Sequence, residues 1–329
     1  MARNKTSMNI YACGGLGTAV VSSLNKSMKE DEADEYHSDT NLYYVDTSNS
    51  DLTDEIKKEN VYLIPGLDGS GKKRSTNHEI VADNVNDILL NFKPSDVNIV
   101  IHSASGGSGS VIGPVIASEL LSRGCLVIVI TAGSSSSKIE VNNTINTLKS
   151  YEKISQLRKL PVILNYHENS AEHAPAKVDN NIKTIIVLLS CLFSGTNRKL
   201  DSADLNNFLN YHNVTSYEPR LASLELFKKV IDTLKGRPLI SLVTLAGIND
   251  VTDPNVAVEY QAVGFPSDDL IEQMSKDLPI HFGIIGGAFT DIINRLSTVM
   301  ESYEEIRKAA KSKPIASSDD SSTNEGLVL

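Results

Sequence analysis

The strongest fold signal in the chain is the run Ser103-Ala104-Ser105-Gly106-Gly107-Ser108-Gly109-Ser110. It follows a β-branched apolar stretch, 97–102, and precedes a stretch with helical periodicity, 110–123. Small residues and hydroxyls at such a turn leave backbone N–H groups accessible, and the N-terminus of the helix adds partial positive charge. The run therefore predicts an anion-binding loop between a strand and a helix.

Two further glycine-rich turns also follow apolar strands. The turn Cys13-Gly14-Gly15-Leu16-Gly17 opens the first predicted helix, but Val20 occupies the place of the third glycine of a dinucleotide-binding fingerprint. The run Gly66-Leu67-Asp68-Gly69-Ser70-Gly71-Lys72 has P-loop spacing, but Lys73 stands where that motif needs Ser or Thr to hold Mg²⁺. Phosphate-shaped loops at the carboxyl ends of two parallel strands predict a nucleotide with several phosphates in the crevice of the sheet.

The rest of the first half alternates short apolar strands with amphipathic helices, which is typical of an α/β fold with a doubly wound parallel sheet. Strands are predicted at 8–12, 41–45, 61–64, 97–102, 126–131 and 161–165, and helices at 18–29, 79–92, 110–123 and 137–157. A polar loop then leads to an apolar helix, 180–193, and to a smaller α+β unit. That unit has predicted helices at 200–211, 221–234 and 267–276, strands at 239–245, 256–263 and 279–285, and a long final helix at 289–311.

Charge and composition exclude several classes of function. The 329 residues include 31 Lys+Arg and 41 Asp+Glu, and the formal net charge of −10 argues against nucleic acid or an anionic membrane as the main partner. The apolar runs are well below the roughly 20 residues of a spanning helix, and the N-terminus lacks a signal-peptide pattern, so we expect a cytoplasmic protein. Cys13, Cys125 and Cys191 are far apart and odd in number, so neither a disulfide framework nor a cysteine metal site is expected.

With these loops the chain resembles the tubulin/FtsZ family of GTPases, whose signature is G-G-G-T-G-[ST]-G. The matching run, Ser105-Gly106-Gly107-Ser108-Gly109-Ser110-Val111, departs from the signature at Ser105 and Val111 and keeps a hydroxyl at Ser108. The turn at Gly14, Gly15 and Gly17 is similar to the first phosphate loop of the family. Leu160-Pro161, with Asn165, matches the strand whose last Asn meets guanine. Leu200-Asp201-Ser202-Ala203-Asp204 matches the catalytic loop N-x-D-x-x-D.

The resemblance implies GTP or GDP as the bound nucleotide, with Mg²⁺. It implies that Asp46 and residues 69–72 lie near the γ-phosphate or Mg²⁺, and that loop 133–137 faces the sugar. The implied base contacts are Asn165, Asp179 and Asn180. The implied phosphate contacts are Gly14, Gly15, Gly17, Gly106, Gly107, Ser108, Gly109 and Ser110.

In the family, the catalytic loop acts on the GTP of the next subunit. The resemblance therefore implies that Asp201 and Asp204 polarise the attacking water, although Lys199 stands where the family has Asn. An Asp-x-x-Asp at a helix start is also typical of simple N-capping. Asp179 or Asn180 could equally be the cap of the next helix rather than a base contact.

The bacteriophage branch of the family is the most similar. It implies head-to-tail filaments that position phage DNA in the cytoplasm of an infected bacterium, and an acidic C-terminal tail that docks on the neighbouring subunit. The predicted division is a GTP-binding domain at 1–178, a central helix at 179–198, an α+β domain at 199–286, a C-terminal helix at 287–312 and the tail at 313–329.

Two alternatives remain at this point. A nicotinamide-dependent oxidoreductase would use Gly15 and Gly17 for phosphates and Asp46 for a ribose hydroxyl. It also needs a catalytic His or a Tyr-Lys pair, and the only tempting residue, His102, is expected to be a locally hydrogen-bonded strand-end histidine. The second alternative is a filament protein that binds GTP without hydrolysing it.

Overall fold

The computed structural model describes residues 6–30, 38–71, 74, 77–170, 173–228, 236–247, 257–268, 271 and 278–311. The strands are β1 Ser7–Cys13, β2 Asp39–Asp46, β3 Val61–Leu63, β4 Val97–Ser103, β5 Leu126–Ser134, β6 Val162–Asn169, β7 Leu221–Phe227, β8 Leu239–Leu245, β9 Tyr260–Gly264 and β10 Ile280–Ile285. The helices are α1 Gly14–Glu30, α2 His78–Asn91, α3 Gly109–Ser122, α4 Lys138–Arg158, α5 Pro175–Leu192, α6 Ser202–Leu209 and α7 Ala288–Lys311. Within these ranges no helix combines the length and the apolar content needed to span a bilayer.

All ten strands form one sheet in the order β3-β2-β1-β4-β5-β6-β7-β10-β8-β9. The pairs from β3 to β7 are parallel, whereas β10 runs antiparallel to both of its neighbours, β7 and β8. The chain leaves β1 towards β2 and β3 and then returns to β4 on the other side of β1. This reversal is a topological switch point, where open α/β sheets bind ligands beyond the carboxyl ends of their strands.

Helices cover both faces of the sheet. On one face Ile10, Ile99 and Ile128 pack in a cluster with Val21 of α1 and Ile182 of α5. On the other face Tyr11, Val100 and Val129 belong to a second cluster with Ile116 of α3 and Leu148 of α4. Because successive strand residues point to opposite faces, burial on both sides explains why the parallel strands are apolar throughout.

The structure corrects two predicted helices. The helix expected at 221–234 is wrong over its described part, because Leu221–Phe227 is strand β7, paired with β6 and β10. Helix α5 begins at Pro175, five residues before the expected start. The helix predicted at 267–276 lies mostly outside the described residues, and the tail predicted at 313–329 lies wholly outside them. The division into domains stays a prediction.

Candidate functional site

We number the glycine loops along the chain: the first is 13–17, the second 66–72 and the third 103–110. The first and third loops meet at the switch point between β1 and β4. Cys13 is paired with His102 at the carboxyl ends of these strands. Gly14 has a φ of +69°, and a Cβ atom built on it would lie 2.8 Å from Gly109 N. A Cβ atom on Gly109 would in turn lie 2.8 Å from Cys13 O. Glycine at both positions therefore allows the two loop backbones to meet and to border a single crevice.

The second glycine loop and the end of β2 join the same crevice. Thr47 Oγ1 lies 2.6 Å from Ser108 Oγ in the third loop. Thr47 N donates to Asp46 Oδ1 at 2.6 Å, and Thr47 O accepts from Gly69 N at 3.3 Å. The structure thus brings Asp46, Ser108 and Gly69 together around Thr47. Lys72, which closes the predicted loop, lies outside the described residues.

Two carboxylates lie beside these loops. Burial raises the pKa of Asp46, and the negative charge of Asp51 adds to the rise, although hydrogen bonds from Thr47 and Ser48 oppose it. A Cβ atom on Gly15 would lie 2.6 Å from Asp51 Oδ2, so this carboxylate touches the first loop. Two carboxylates next to a phosphate site repel a nucleotide unless a cation lies between them. Within the described ranges no cluster of three or more His, Cys, Asp or Glu side chains is arranged to hold a metal ion.

Side chains of helix α4 hold the backbone of the third loop in shape. Asn143 Nδ2 donates to Ser105 O at 3.0 Å and to Gly106 O at 3.3 Å. Thr147 Oγ1 donates to Ala104 O at 2.9 Å. These bonds hold loop carbonyls towards α4, and within the loop Gly106 N donates to Ser103 Oγ at 3.0 Å.

His102 supports the same loop from within the core. Its Nδ1 lies 3.0 Å from Ser103 O, which is the expected local contact, and its Nε2 lies 2.6 Å from Tyr151 Oη in α4. Burial lowers the pKa of His102 to about 4, and the positive charge of Arg74 acts in the same direction. Arg74 Nη2 donates to Ser110 O at 3.1 Å and to Ser150 Oγ at 3.2 Å, which ties the second loop to α3 and α4.

The predicted base contacts are not part of this network in the described structure. Asn165 is buried in β6, where its Nδ2 donates to Leu224 O at 2.8 Å and its Oδ1 lies 2.7 Å from His167 Nε2. Asp179 and Asn180 lie in the second turn of α5, whose N-cap is Ala174, so the alternative that either residue caps the helix is wrong. Burial raises the pKa of Asp179, and the charge of Lys183 opposes the rise.

Asp201 and Asp204 form a complete capping box at the start of α6. Asp201 Oδ1 accepts from Ala203 N at 2.9 Å and from Asp204 N at 3.0 Å. Asp204 Oδ2 accepts from Asp201 N at 3.1 Å, and Tyr260 Oη donates to Asp204 Oδ1 at 3.1 Å. Lys199 has a φ of +59°, and its Nζ lies 5.3 Å from the centre of the Phe265 ring. The sequence left open whether Asp201 and Asp204 cap the helix, and the structure shows that they do so within a single chain.

The loop that carries Asp201 and Asp204 lies at the amino ends of the parallel strands, and the glycine loops lie at their carboxyl ends. Helix α5 starts beyond the carboxyl end of β6, and its 18 residues span about 27 Å back across the sheet. At its far end Ser194 O accepts from Thr6 N, next to the amino end of β1. Asn197 Nδ2 donates to Cys191 O and Leu192 O, which keeps the turn before Asp201 at that end. Gly14 lies at the other end of β1.

Several contributing residues escaped the sequence prediction, namely Thr47, Asp51, Asn143 and Thr147. Thr47 follows the predicted Asp46 directly, so its position at a strand end was an available signal. Asn143 and Thr147 are polar residues four apart on the buried side of α4, and this spacing was also visible. Asp51 carries no signal in the sequence, because a loop of unknown shape brings it to Gly15.

Comparisons with known proteins define the class. Residues 8–160 match the model of the tubulin/FtsZ family, GTPase domain. A phage tubulin-like protein of Pseudomonas phage phiKZ is 27% identical over 340 aligned positions, which cover 99% of each chain. A phage tubulin-like protein of Pseudomonas phage PhiPA3 is 27% identical over 348 positions, covering 99% of this chain and 100% of the relative. The solved protofilament of TubZ from bacteriophage PhiKZ has a TM-score of 0.79 and 28% identity, covering 98% of this chain and 99% of that chain.

Residues 8–160 are thus similar to the GTPase domain of the tubulin/FtsZ family, and the phage tubulin-like proteins align with almost the whole chain. The resemblance drawn from the glycine loops, the α/β fold and the GTPase class are therefore confirmed. The comparisons do not support the nicotinamide-dependent oxidoreductase, and we discard that alternative.

Proposed function

We propose that this protein is a GTPase that assembles head to tail into filaments and completes its active site only between neighbouring copies. The observation that carries the proposal is that Asp201 and Asp204 lie at the amino ends of the parallel strands, whereas the glycine loops lie at the carboxyl ends. A contact between opposite edges of identical copies is heterologous, so it repeats without closing and builds a filament. The TubZ of bacteriophage PhiKZ, solved as a protofilament, supports the same assembly here.

The nucleotide lies across the switch point in this proposal. Its phosphates face the backbone N–H groups of Gly14, Gly15 and Gly17 and of the loop from Gly106 to Ser110. The sugar faces loop 133–137. The base faces Asp179, Asn180 and Asn165, since a carboxylate accepts hydrogen bonds from the N1–H and amino groups of guanine and an amide both donates and accepts.

Mg²⁺ fits the donor set of this crevice. Asp46 and Asp51 are the two carboxylates beside the phosphate loops, and Mg²⁺ is commonly held by one or two carboxylates together with phosphate oxygens. Bound there, Mg²⁺ would neutralise phosphate charge and polarise the γ-phosphoryl group.

Hydrolysis takes place across the subunit contact. Asp201 and Asp204 of one copy orient a water molecule, whose oxygen bonds to the γ-phosphorus of the GTP on the next copy. The bond between that phosphorus and the bridging oxygen of GDP breaks, and phosphate and a proton leave. Because the phosphate contacts at the interface are then lost, subunit association weakens after hydrolysis.

The test is GTP turnover measured over a range of protein concentrations. Turnover completed between copies must rise faster than linearly, whereas a complete single-chain site gives a linear dependence. Asp201→Asn and Asp204→Asn keep oxygens that serve the capping box but remove the negative charges. Both variants should bind GTP and form persistent filaments with little turnover.

A matched control is Asp268→Asn, which removes an exposed carboxylate that pairs with Arg198 outside the capping box. It should keep normal turnover. Full turnover by Asp204→Asn would mean that this loop only caps the helix and takes no part in hydrolysis. Loss of GTP binding by the variant would contradict the position of Asp204 away from the nucleotide of its own copy.

The acidic C-terminal tail docks on the neighbouring copy in this proposal. A groove of about 530 Å³ between α2, α3 and α4 has an apolar floor that includes Val85, Pro114 and Ile154. Four cationic residues and one carboxylate also line it, in a chain whose net charge is −10: Arg74, Lys149, Lys153, Arg158 and Glu119. The carboxylate of Glu119 already pairs with Arg123 at 2.9 Å. This lining complements a segment that carries Asp319, Asp320 and Glu325 and then Leu327, Val328 and Leu329.

In this proposal the tail of one copy occupies the groove of the next copy in the filament. Helix α7 runs past the start of α4, where Glu304 pairs with Lys138 at 3.0 Å, so it ends at the glycine-loop edge. The groove extends along α4 from Arg74, near the glycine loops, to Arg158. Deleting residues 318–329 should abolish assembly, and Lys149→Glu with Lys153→Glu should do the same. Lys57→Glu with Lys58→Glu, at exposed positions outside the groove, is the control, and pelleting of the truncated protein would contradict docking.

The similarity to phage tubulin-like proteins supports a task during phage infection. We propose that the filaments position phage DNA in the cytoplasm of an infected bacterium. Imaging of DNA in cells that express Asp204→Asn during infection tests this, because frozen filaments should displace the phage DNA from its normal position. Unchanged DNA position would contradict the role without affecting the biochemical proposal.

A further inference from the structure

The loop 133–137 is held by a helix that lies outside the GTPase domain in sequence. The loop includes the last two residues of β5 and lies directly beside the third glycine loop, where Ala104 N donates to Ala132 O at 2.8 Å. Tyr303 of α7 donates from its Oη to Ser135 O at 3.0 Å. One residue further along α7, Glu304 pairs with Lys138, the first residue of α4. Two successive side chains of α7 therefore contact the loop and the helix start that follows it.

A second anchor joins α7 to the strand beside the loop. Arg295 makes a bidentate contact with Glu168 of β6, with one bond, from Nη1 to Oε1, of 3.0 Å. Tyr166 Oη donates to Glu168 Oε2 at 3.0 Å, and Ser135 also hydrogen-bonds this carboxylate. Burial opposes the charged form of Glu168, but the hydrogen bond and the charge of Arg295 outweigh it and lower the pKa of the carboxyl.

The Tyr166 side chain connects Glu168 to the backbone of the loop. A Cβ atom on Gly133 would lie 2.3 Å from Tyr166 Oη and 2.6 Å from Thr144 Cγ2. The Gly133 backbone is thus seated between a side chain of β6 and one of α4. The loop itself is Gly-Ser-Ser-Ser-Ser, which offers no apolar side chain to pack. Gly133 and Ser134 pair with β6, Ser136 N donates to Ser134 Oγ, and Ser137 caps α4, so the bond from Tyr303 adds to these contacts at Ser135.

We propose that Tyr303 and Arg295 are positioning residues through which α7 sets the affinity of the nucleotide site. The inference rests on the proposed function, in which loop 133–137 faces the sugar. Without the Tyr303 hydroxyl, the backbone at Ser135 loses this anchor and must be ordered when the nucleotide binds, so binding weakens. Since the tail follows α7 in sequence, a neighbour that holds the tail acts on the same helix, and assembly and nucleotide affinity become coupled.

The test compares nucleotide binding by the full-length chain and by Tyr303→Phe, which removes only the hydroxyl. Titration with a fluorescent GDP at concentrations too low for assembly should give about two- to tenfold weaker binding, the range expected for one hydrogen bond. Ser302→Ala is the matched control, because Ser302 Oγ donates to Thr298 O of its own helix. Arg295→Lys should weaken binding as well, because an ammonium group cannot keep the bidentate contact.

A purely structural role of Tyr303 makes a different prediction. It would lower the thermal midpoint of the nucleotide-free protein, whereas a positioning role leaves that midpoint within the range of Ser302→Ala. With a positioning role, Tyr303→Phe also raises the GTP concentration needed for half-maximal turnover, while the maximal turnover of filaments stays unchanged. Unchanged affinity in Tyr303→Phe, with normal binding by the wild type, would overturn this inference alone. Absence of guanine-nucleotide binding by the wild type would overturn the proposed function and this inference with it.

Discussion

Acidification should destabilise the protein through His102, the buried histidine beneath the third glycine loop. Its two ring nitrogens are engaged by Ser103 O and Tyr151 Oη, and the ring is fully buried. Burial, aided by the charge of Arg74, lowers its pKa from 6.5 to about 4. The folded protein therefore keeps His102 neutral at a pH where the unfolded chain already binds a proton there.

Proton linkage gives the direction and the size of this loss of stability. Stability that depends on neutral His102 is complete above pH 6.5 and is lost as the pH falls from 6.5 towards 4. At pH 5 the loss is about 2 kcal/mol, and the full shift corresponds to about 3 kcal/mol. A typical domain is stable by only about 5–15 kcal/mol, so this loss is large enough to measure.

The assay is urea unfolding of the wild type and of His102→Gln at pH 7.5 and pH 5.0. The variant is less stable at pH 7.5 but should lose about 2 kcal/mol less than the wild type on acidification. The comparison cancels other groups such as His167, whose pKa burial also lowers to about 4. His78→Gln, at an exposed histidine, should retain the pH dependence of the wild type. Equal losses in the wild type and His102→Gln would refute the assignment of this pH dependence to His102.

Three shorter predictions concern the site. Gly109→Ala should lower the unfolding free energy by about 1–3 kcal/mol, because its Cβ atom would lie 2.8 Å from Cys13 O and this outweighs a gain of about 1 kcal/mol in helix propensity. In Gly106→Ala the nearest atom is Ser103 Oγ at 3.4 Å, so urea unfolding should show a smaller loss. Lys199→Asn should leave the unfolding free energy within about 1 kcal/mol, because Asn suits the positive φ and offsets the lost contact with Phe265. It should also raise filament turnover, which phosphate release measures. Asp51→Asn should strengthen GTP binding in EDTA and reduce the dependence on Mg²⁺, and equal affinity of the two proteins in EDTA would contradict this.

The parallel sheet was predictable because its strands are short, β-branched and apolar on both faces. Strand β7 was not, since Leu-Ala-Ser-Leu-Glu-Leu-Phe places apolar residues at both helical and strand spacing. The partners decide its conformation, and the pairing with β6 and β10 joins residues 54 to 62 positions apart in sequence. The start of α5 had a usable signal, because Pro175 stands at a first helical position, where proline is favoured.

The site was predictable where glycine spacing reports it and not where side chains cross between loops. Gly14 and Gly109 stand out in the sequence, and the structure brings them into backbone contact. The hydroxyl contact between Thr47 and Ser108 joins residues 61 positions apart and leaves no local pattern. A single sequence shows which loops suit phosphate, but it does not show which polar residues hold those loops in shape.

Capping and catalysis need not compete at Asp201 and Asp204. The capping box uses Oδ1 of Asp201 and Oδ2 of Asp204, and each carboxylate oxygen can accept more than one hydrogen bond. The box and the bond from Tyr260 fix both carboxylates before any neighbour arrives, so their ordering cost is met during folding. The same spacing that caps the helix therefore presents two oriented acids at the edge of the sheet. In the proposed filament, the nucleotide that they face is bound to the stacked neighbour.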